Sequence, residues 1–181
     1  SFYKDDPKVG KGIIYFNHSK YVGEMKTKEG RLNLDGKGVE TLKNGDKIEG
    51  VWKNGRPIKV SKYVFYGPDD TKWEYEGEVT TKGELLPIGK GVLKIINSKN
   101  KYFCIESGSF KKQSLDGKGV RVYYFSKSFK KFYCVLKGEF KNGKLNGKGY
   151  ENRYIGGKEG SIKYEGIFKN DKLVKGKTTK Y

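Results

Sequence analysis

The chain is 181 residues long, one domain's worth by length, and its hydrophobic content of 34% is low for a fold built round one deep core, whereas 26 glycines and 14% aromatic residues suit thin β architecture. Lys plus Arg exceeds Asp plus Glu by 39 to 21, a net charge of +18 that points to an anionic partner; only four of the 39 are Arg, the side chain that forks onto phosphate and stacks on bases. One histidine and two cysteines argue against a His-rich metal site, a zinc site or a disulfide framework.

The elements follow in chain order. Gly10-Lys-Gly12 opens a partial first unit and leads into the strand-like run IIYF. YVGEM (Tyr21 to Met25) reads as a strand, Gly36-Lys-Gly38 with VETL as its return, and Lys-Asn-Gly at 43–45 as a turn. IEGVW (Ile48 to Trp52) follows, with a Lys-Asn-Gly turn at 53–55 and the return GRPIKVSK (Gly55 to Lys62), which lacks the Gly-Lys-Gly element. Gly67-Pro-Asp-Asp70 marks the next turn. YEGEV (Tyr75 to Val79) returns through Gly89-Lys-Gly91 and VLKII, and ESGSF (Glu106 to Phe110) through Gly117-Lys-Gly119 and VRVYYF. A long return loop lies within VYYFSKSFKKFYCV. LKGEF (Leu136 to Phe140) turns at Lys-Asn-Gly 141–143 and returns through Gly147-Lys-Gly149; YEGIF (Tyr164 to Phe168) ends the series with Lys175-Gly176-Lys177.

The central glycines stand at 23, 50, 77, 108, 138 and 166, with spacings of 27, 27, 31, 30 and 28 residues. Six copies at a near-constant period mark a repeat array, each unit reading as strand, Gly-rich turn, strand, which is a β-hairpin. Side chains of equal parity share a face of a strand. One face therefore carries Tyr21, Ile48, Tyr75, Glu106, Leu136 and Tyr164 two residues before the glycine, and Met25, Trp52, Val79, Phe110, Phe140 and Phe168 two residues after it. The other carries Lys26, Lys53, Thr80, Lys111, Lys141 and Lys169 with Glu24, Glu49, Glu76, Glu78, Glu139 and Glu165. The sheet is expected to be aromatic on one side and charged on the other. Glycine weakens a strand interior, so six in one register imply that neighbouring rings lie across the bare backbone. Cys104 and Cys134 occupy the same slot of adjacent units, about 10 Å apart by strand spacing and too far for a disulfide. They read as small apolar fillers in a reduced, cytoplasmic chain.

YEGEV, YEGIF and LKGEFKNGKLNGKGY resemble the MORN (membrane occupation and recognition nexus) repeat, roughly Y-x-G-x-[WF]-x-x-G-x-x-x-G-x-G, and the resemblance covers nearly the whole chain. The units here are longer than the family's, through an extended second strand and return loop. The resemblance implies an all-β fold, a single elongated twisted antiparallel sheet of successive β-hairpins (a MORN-repeat solenoid), with about six units and a partial N-terminal one across 1–181. The chain opens at SFYKDD without Met and is expected to be a piece of a longer protein. The family also implies scaffolding or phospholipid association, peripheral to a membrane or the cytoskeleton. Since such arrays occur beside catalytic domains, it equally allows the targeting module of a lipid kinase or lysine methyltransferase.

Two binding surfaces are expected. Tyr21, Trp52, Tyr75, Phe110, Phe140, Tyr164 and Phe168 form an aromatic-glycine groove able to bind a protein partner, unless the rings simply cover the glycines and each other. Lys26, Lys53, Lys111, Lys141 and Lys169 can attach the sheet to an anionic membrane surface at about 1 kcal/mol per well-placed basic residue, although the neighbouring Glu row would pair with them. Nucleic acid is the weakest of the three partners, because Arg is scarce and no recognition module is present; self-association stays open.

No enzyme activity, catalytic residue, cofactor or metal is expected. His18 reads as a solvated loop residue, and the carboxylates recur in register as a structural ladder would rather than as an acid/base pair. Gly143-Lys-Leu-Asn-Gly-Lys-Gly149 only superficially looks like a phosphate-binding loop. It has three residues between its first glycines where such a loop has four, ends in Gly instead of Ser or Thr, and opens no helix.

Overall fold

The structure, a computed structural model, describes residues 9–67, 71–81, 84–97, 99, 102–125, 132–154 and 160–181. A lone strand, β1 (Val9–Tyr15), is followed by six hairpins. These are β2 (Ser19–Lys28) with β3 (Arg31–Leu42), β4 (Lys47–Lys53) with β5 (Arg56–Tyr66), and β6 (Thr71–Val79) with β7 (Pro87–Asn97). The remaining three are β8 (Tyr102–Lys111) with β9 (Ser114–Phe125), β10 (Phe132–Lys141) with β11 (Lys144–Tyr154), and β12 (Ser161–Lys169) with β13 (Lys172–Lys180). All thirteen lie in one antiparallel sheet in sequence order, open at β1 and β13. At about 4.8 Å per strand it extends for roughly 60 Å. Among the described residues there is no helix long and apolar enough to cross a membrane.

Glycine register organises the sheet. The pairing places Gly12, Gly23, Gly38 and Gly50 side by side, with Val60 next on β5. Gly77, Gly91, Gly108, Gly119, Gly138, Gly149, Gly166 and Gly176 continue across the other eight strands. Just past the central glycine the register shifts in all six hairpins, between Gly23 and Met25, Val51 and Trp52, Gly77 and Glu78, Gly108 and Phe110, Gly138 and Phe140, and Ile167 and Phe168. The first glycine of the Gly-Lys-Gly elements in β3, β7, β9 and β11 sits opposite with positive φ: Gly36 at 111°, Gly89 at 61°, Gly117 at 109° and Gly147 at 124°. Bulges bend and twist the strand that carries them.

Five hairpins close through two-residue turns in which both residues have positive φ, the form that matches strand twist: Glu29-Gly30, Asn54-Gly55, Lys112-Gln113, Asn142-Gly143 and Asn170-Asp171. The expected Asn-Gly turns at 53–55 and 141–143 are among them, and 43–45 is a turn as well. The expected turn at Gly67–Asp70 and the loop within VYYFSKSFKKFYCV lie largely outside the described residues.

The turns also tie neighbouring hairpins together. Each of four turn tips donates a backbone hydrogen bond to the start of the previous hairpin's second strand. The bonds are Gly55 N–H to Leu34 O at 3.1 Å, Gln113 to Pro87 at 3.1 Å, Gly143 to Leu115 at 2.8 Å and Asp171 to Leu145 at 3.0 Å. Each bond carries the ladder one step past the pairs Gly36–Trp52, Gly89–Phe110, Gly117–Phe140 and Gly147–Phe168, so neighbouring hairpins stay joined to their tips, and the buried side chains pack along the aromatic face. Leu115 and Leu145 are completely enclosed there.

Candidate functional site: the two faces of the sheet

The aromatic row is packed, not open. Tyr21 and Tyr75 have no exposed surface; Trp52, Phe110, Phe140 and Phe168 are buried and Tyr164 is half-buried. Six of the seven side chains are thus covered within the sheet, and Tyr164 keeps part of its surface. Tyr21 meets Trp52 edge to face with ring centroids 5.4 Å apart, and Tyr75 meets Phe110 likewise at 5.1 Å. The guanidinium of Arg121 lies 5.6 Å from the Phe140 ring, and that of Arg153 5.5 Å from Tyr164.

The polar tips of the three enclosed side chains Tyr21, Tyr75 and Trp52 are satisfied. Tyr21 Oη donates to Glu24 O at 3.1 Å, Tyr75 Oη to Ile88 O at 2.8 Å, and Trp52 Nε1 to Gly38 O at 3.4 Å. Burial pushes the Tyr75 phenol up to about 12, so it stays neutral at physiological pH. Rings do cross bare glycine backbone: a Cβ on Gly38 would lie 2.1 Å from Tyr21 Oη, and one on Gly91 2.3 Å from Tyr75 Oη. In β8–β9 and β10–β11 the residue two before the central glycine is Glu106 or Leu136 instead of Tyr. There Leu115 and Leu145 cover the glycines from the start of the second strand.

Further along the same face lie a buried ion pair and a second in which only the carboxylate is buried. Arg121 Nε donates to Glu106 Oε1 at 2.6 Å, while Arg153 pairs with Glu151, which also accepts from Cys134 Sγ at 3.4 Å. Burial drives the Glu106 carboxyl up although Arg121 opposes it. Burial and the Glu151 carboxylate push the Cys134 thiol up to about 12, leaving it a poor nucleophile. Cys104 and Cys134 both pair with Tyr123, one from each side, so they occupy equivalent slots two strands apart as expected.

The charged face is ordered by the bulges. Glu24 and Glu139 follow their central glycines, and each carboxylate accepts a backbone N–H across the bulge, from Lys37 at 2.8 Å and from Lys148 at 3.3 Å. Glu78 sits against Gly89 in the same way. Part of the expected Glu row therefore plugs backbone that the bulges leave unpaired, a structural duty. Elsewhere Glu76 pairs with Lys62 at 3.3 Å, and Glu165 with Lys163 at 3.0 Å.

Among the candidate lysines, Lys26 pairs with Asp35 at 2.9 Å, whereas Lys53, Lys111, Lys141 and Lys169 are exposed beside the turns. A second lysine row is missed when the Gly-Lys-Gly elements are read only as turn and return. Lys11, Lys37, Lys59, Lys90, Lys118, Lys148 and Lys175 stand on all seven odd-numbered strands, immediately before the glycine-row position, and all are exposed. The recurrence of Gly-Lys-Gly was the available signal; Lys59-Val60 and Lys175-Gly176 hid two rungs of it.

His18 is exposed in the β1–β2 connection, where its carbonyl accepts from Lys43 N–H at 2.8 Å. No group of three His, Cys, Asp or Glu side chains that could hold a metal occurs among the described residues. Gly143 to Gly149 is a hairpin turn and the first half of β11. No family model matches the chain, and no curated protein matches it. The fold defines the class by itself: an open, all-β sheet of repeated hairpins.

Proposed function

We propose that the chain is a non-enzymatic scaffold or adaptor that holds a protein partner along its sheet, the role its resemblance to MORN repeats implies. The carrying observation is the division of the two faces. Rings that could have anchored a ligand are enclosed in the hairpin stack, while the opposite face displays exposed lysines in a repeating register across the sheet. An elongated surface of this kind suits a macromolecular partner better than a small substrate. The test is crosslinked capture with the intact chain, followed by affinity measurement on variants of each face. The reading expects Lys→Gln changes on the charged face to weaken the captured partner while the melting temperature holds. A partner whose affinity follows only the aromatic row, through Tyr164→Ala with the fold intact, would overturn this choice of surface.

A second reading is peripheral binding to anionic phospholipid, favoured by the exposure of Lys53, Lys111, Lys141 and Lys169 on one face. Co-sedimentation with anionic vesicles should then weaken steeply with salt and with simultaneous Gln substitution of these four lysines. Absent or salt-insensitive binding would end it.

A further inference from the structure

The second lysine row has a geometry that the fold does not require. Lys37 and Lys59 both flank Val51 of β4, one from each side, Lys118 pairs with Glu139, and Lys148 and Lys175 both flank Ile167 of β12. Two strands separate each rung from the next, so the seven ammonium groups recur at about 9.6 Å along the sheet. That spacing is near the Debye length of about 8 Å at physiological ionic strength, so neighbouring rungs repel. None of the seven side chains makes an ion pair or hydrogen bond among the described residues.

Six of the seven rungs line a furrow of successive hollows along the glycine row. One hollow of about 560 Å³ is shared by Lys11, Lys37 and Lys59, a second by Lys59 and Lys90, and a third by Lys118 and Lys148. Glu24, Glu49, Glu78 and Glu139 also line it, but the carboxylates of Glu24 and Glu139 are turned onto backbone N–H groups. The row beside the lysines is apolar at Ile13, Val22 and Val39, charged at Glu49, Lys62 and Glu76, and then runs through Val92, Ser107 and Val120 to Lys137. Ile13 and Val22 are 53% and 45% exposed.

We propose that this furrow is a docking track for an extended acidic segment of a partner polypeptide carrying one carboxylate every third residue. A polyproline-II chain has three residues per turn and rises about 3.1 Å per residue, so every third side chain returns to the same side after about 9.3 Å, the rung spacing. Its intervening side chains meet the mixed row beside the rungs, apolar at Ile13, Val22 and Val39. A furrow presents its cations to a thread and not to a plane, which favours a peptide over a membrane. Nucleic acid would call for Arg and open stacking rings, yet Arg121 and Arg153 lie on the aromatic face and Arg31 and Arg56 beside turns.

The proposal rests on the reading of this sheet as a protein-binding scaffold, and the test separates the two. Two 21-residue peptides of identical composition and charge are titrated against the full 181-residue chain, one with Glu at every third position and one with the same Glu residues clustered. The spaced peptide is expected to bind on the order of tenfold tighter, and the advantage to vanish in a Lys90→Gln, Lys118→Gln, Lys148→Gln variant. Equal binding of both peptides to the unaltered chain overturns the track, whatever the variant does. So does tighter lysine-dependent binding of anionic vesicles or single-stranded RNA. A captured protein partner that depends on Lys53, Lys111 and Lys141 but not on the rungs would leave the scaffold reading standing and remove this inference alone.

Discussion

At Gly50 the cost of a side chain can be read directly. A Cβ there would stand 2.1 Å from the Lys59 carbonyl oxygen and 3.0 Å from Val60 Cα, backbone atoms that cannot swing aside. Gly10, in β1, has nothing within 4 Å of the same imaginary atom. Gly50→Ala should therefore destabilise the chain by at least about 2 kcal/mol, with Gly10→Ala within about 0.5 kcal/mol of neutral, as measured by denaturant unfolding. A glycine row reads easily from sequence, because six central glycines recur at one spacing. Which glycine is indispensable does not, since Gly50 is closed in by the partner strand at Lys59-Val60, where the repeat departs from Gly-Lys-Gly. The buried Glu106 is equally hidden. It stands where other units have Tyr, Ile or Leu, and only the pairing with Arg121 shows how its charge is accommodated.

Each hairpin is specified mostly by its turn. Asn54-Gly55 and Asn142-Gly143 announce themselves, as Asn and Gly tolerate positive φ. Lys112-Gln113 adopts the same turn at φ 48° and 69° with no residue suited to it. Replacing the pair by Asn-Gly should stabilise the chain by about 1 kcal/mol; a lower melting temperature would show that the side chains contribute there. The Gln113 backbone N–H that bonds to Pro87 O is retained in that variant. Strand existence and the split into aromatic and charged faces were legible, since alternation reports directly on burial. The joining of each turn tip to the neighbouring hairpin was not, because it depends on backbone bonds to strands some 20 to 30 residues earlier, which leave no side-chain signature.

Across the whole sheet these local devices separate two tasks. Glycines and bulges let the hairpins curl, the curl encloses the aromatic row, and enclosure makes those rings the source of stability. Cations are left on the other side, in registers fixed by the same bulges, so the charged surface is as regular as the core beneath it. Sequence placed the aromatic residues on one face correctly but could not tell a groove from a core, since exposure is decided by the neighbouring hairpin and not by alternation. The most direct measurement is hydroxyl-radical footprinting of the free chain, resolved by residue. Trp52, Phe110, Phe140, Phe168, Tyr21 and Tyr75 should resist oxidation while Tyr15 and Tyr66, 73% and 46% exposed, react readily. Oxidation of Trp52 and Phe140 at rates like that of Tyr15 would mean that the aromatic face is open, and would contradict the account.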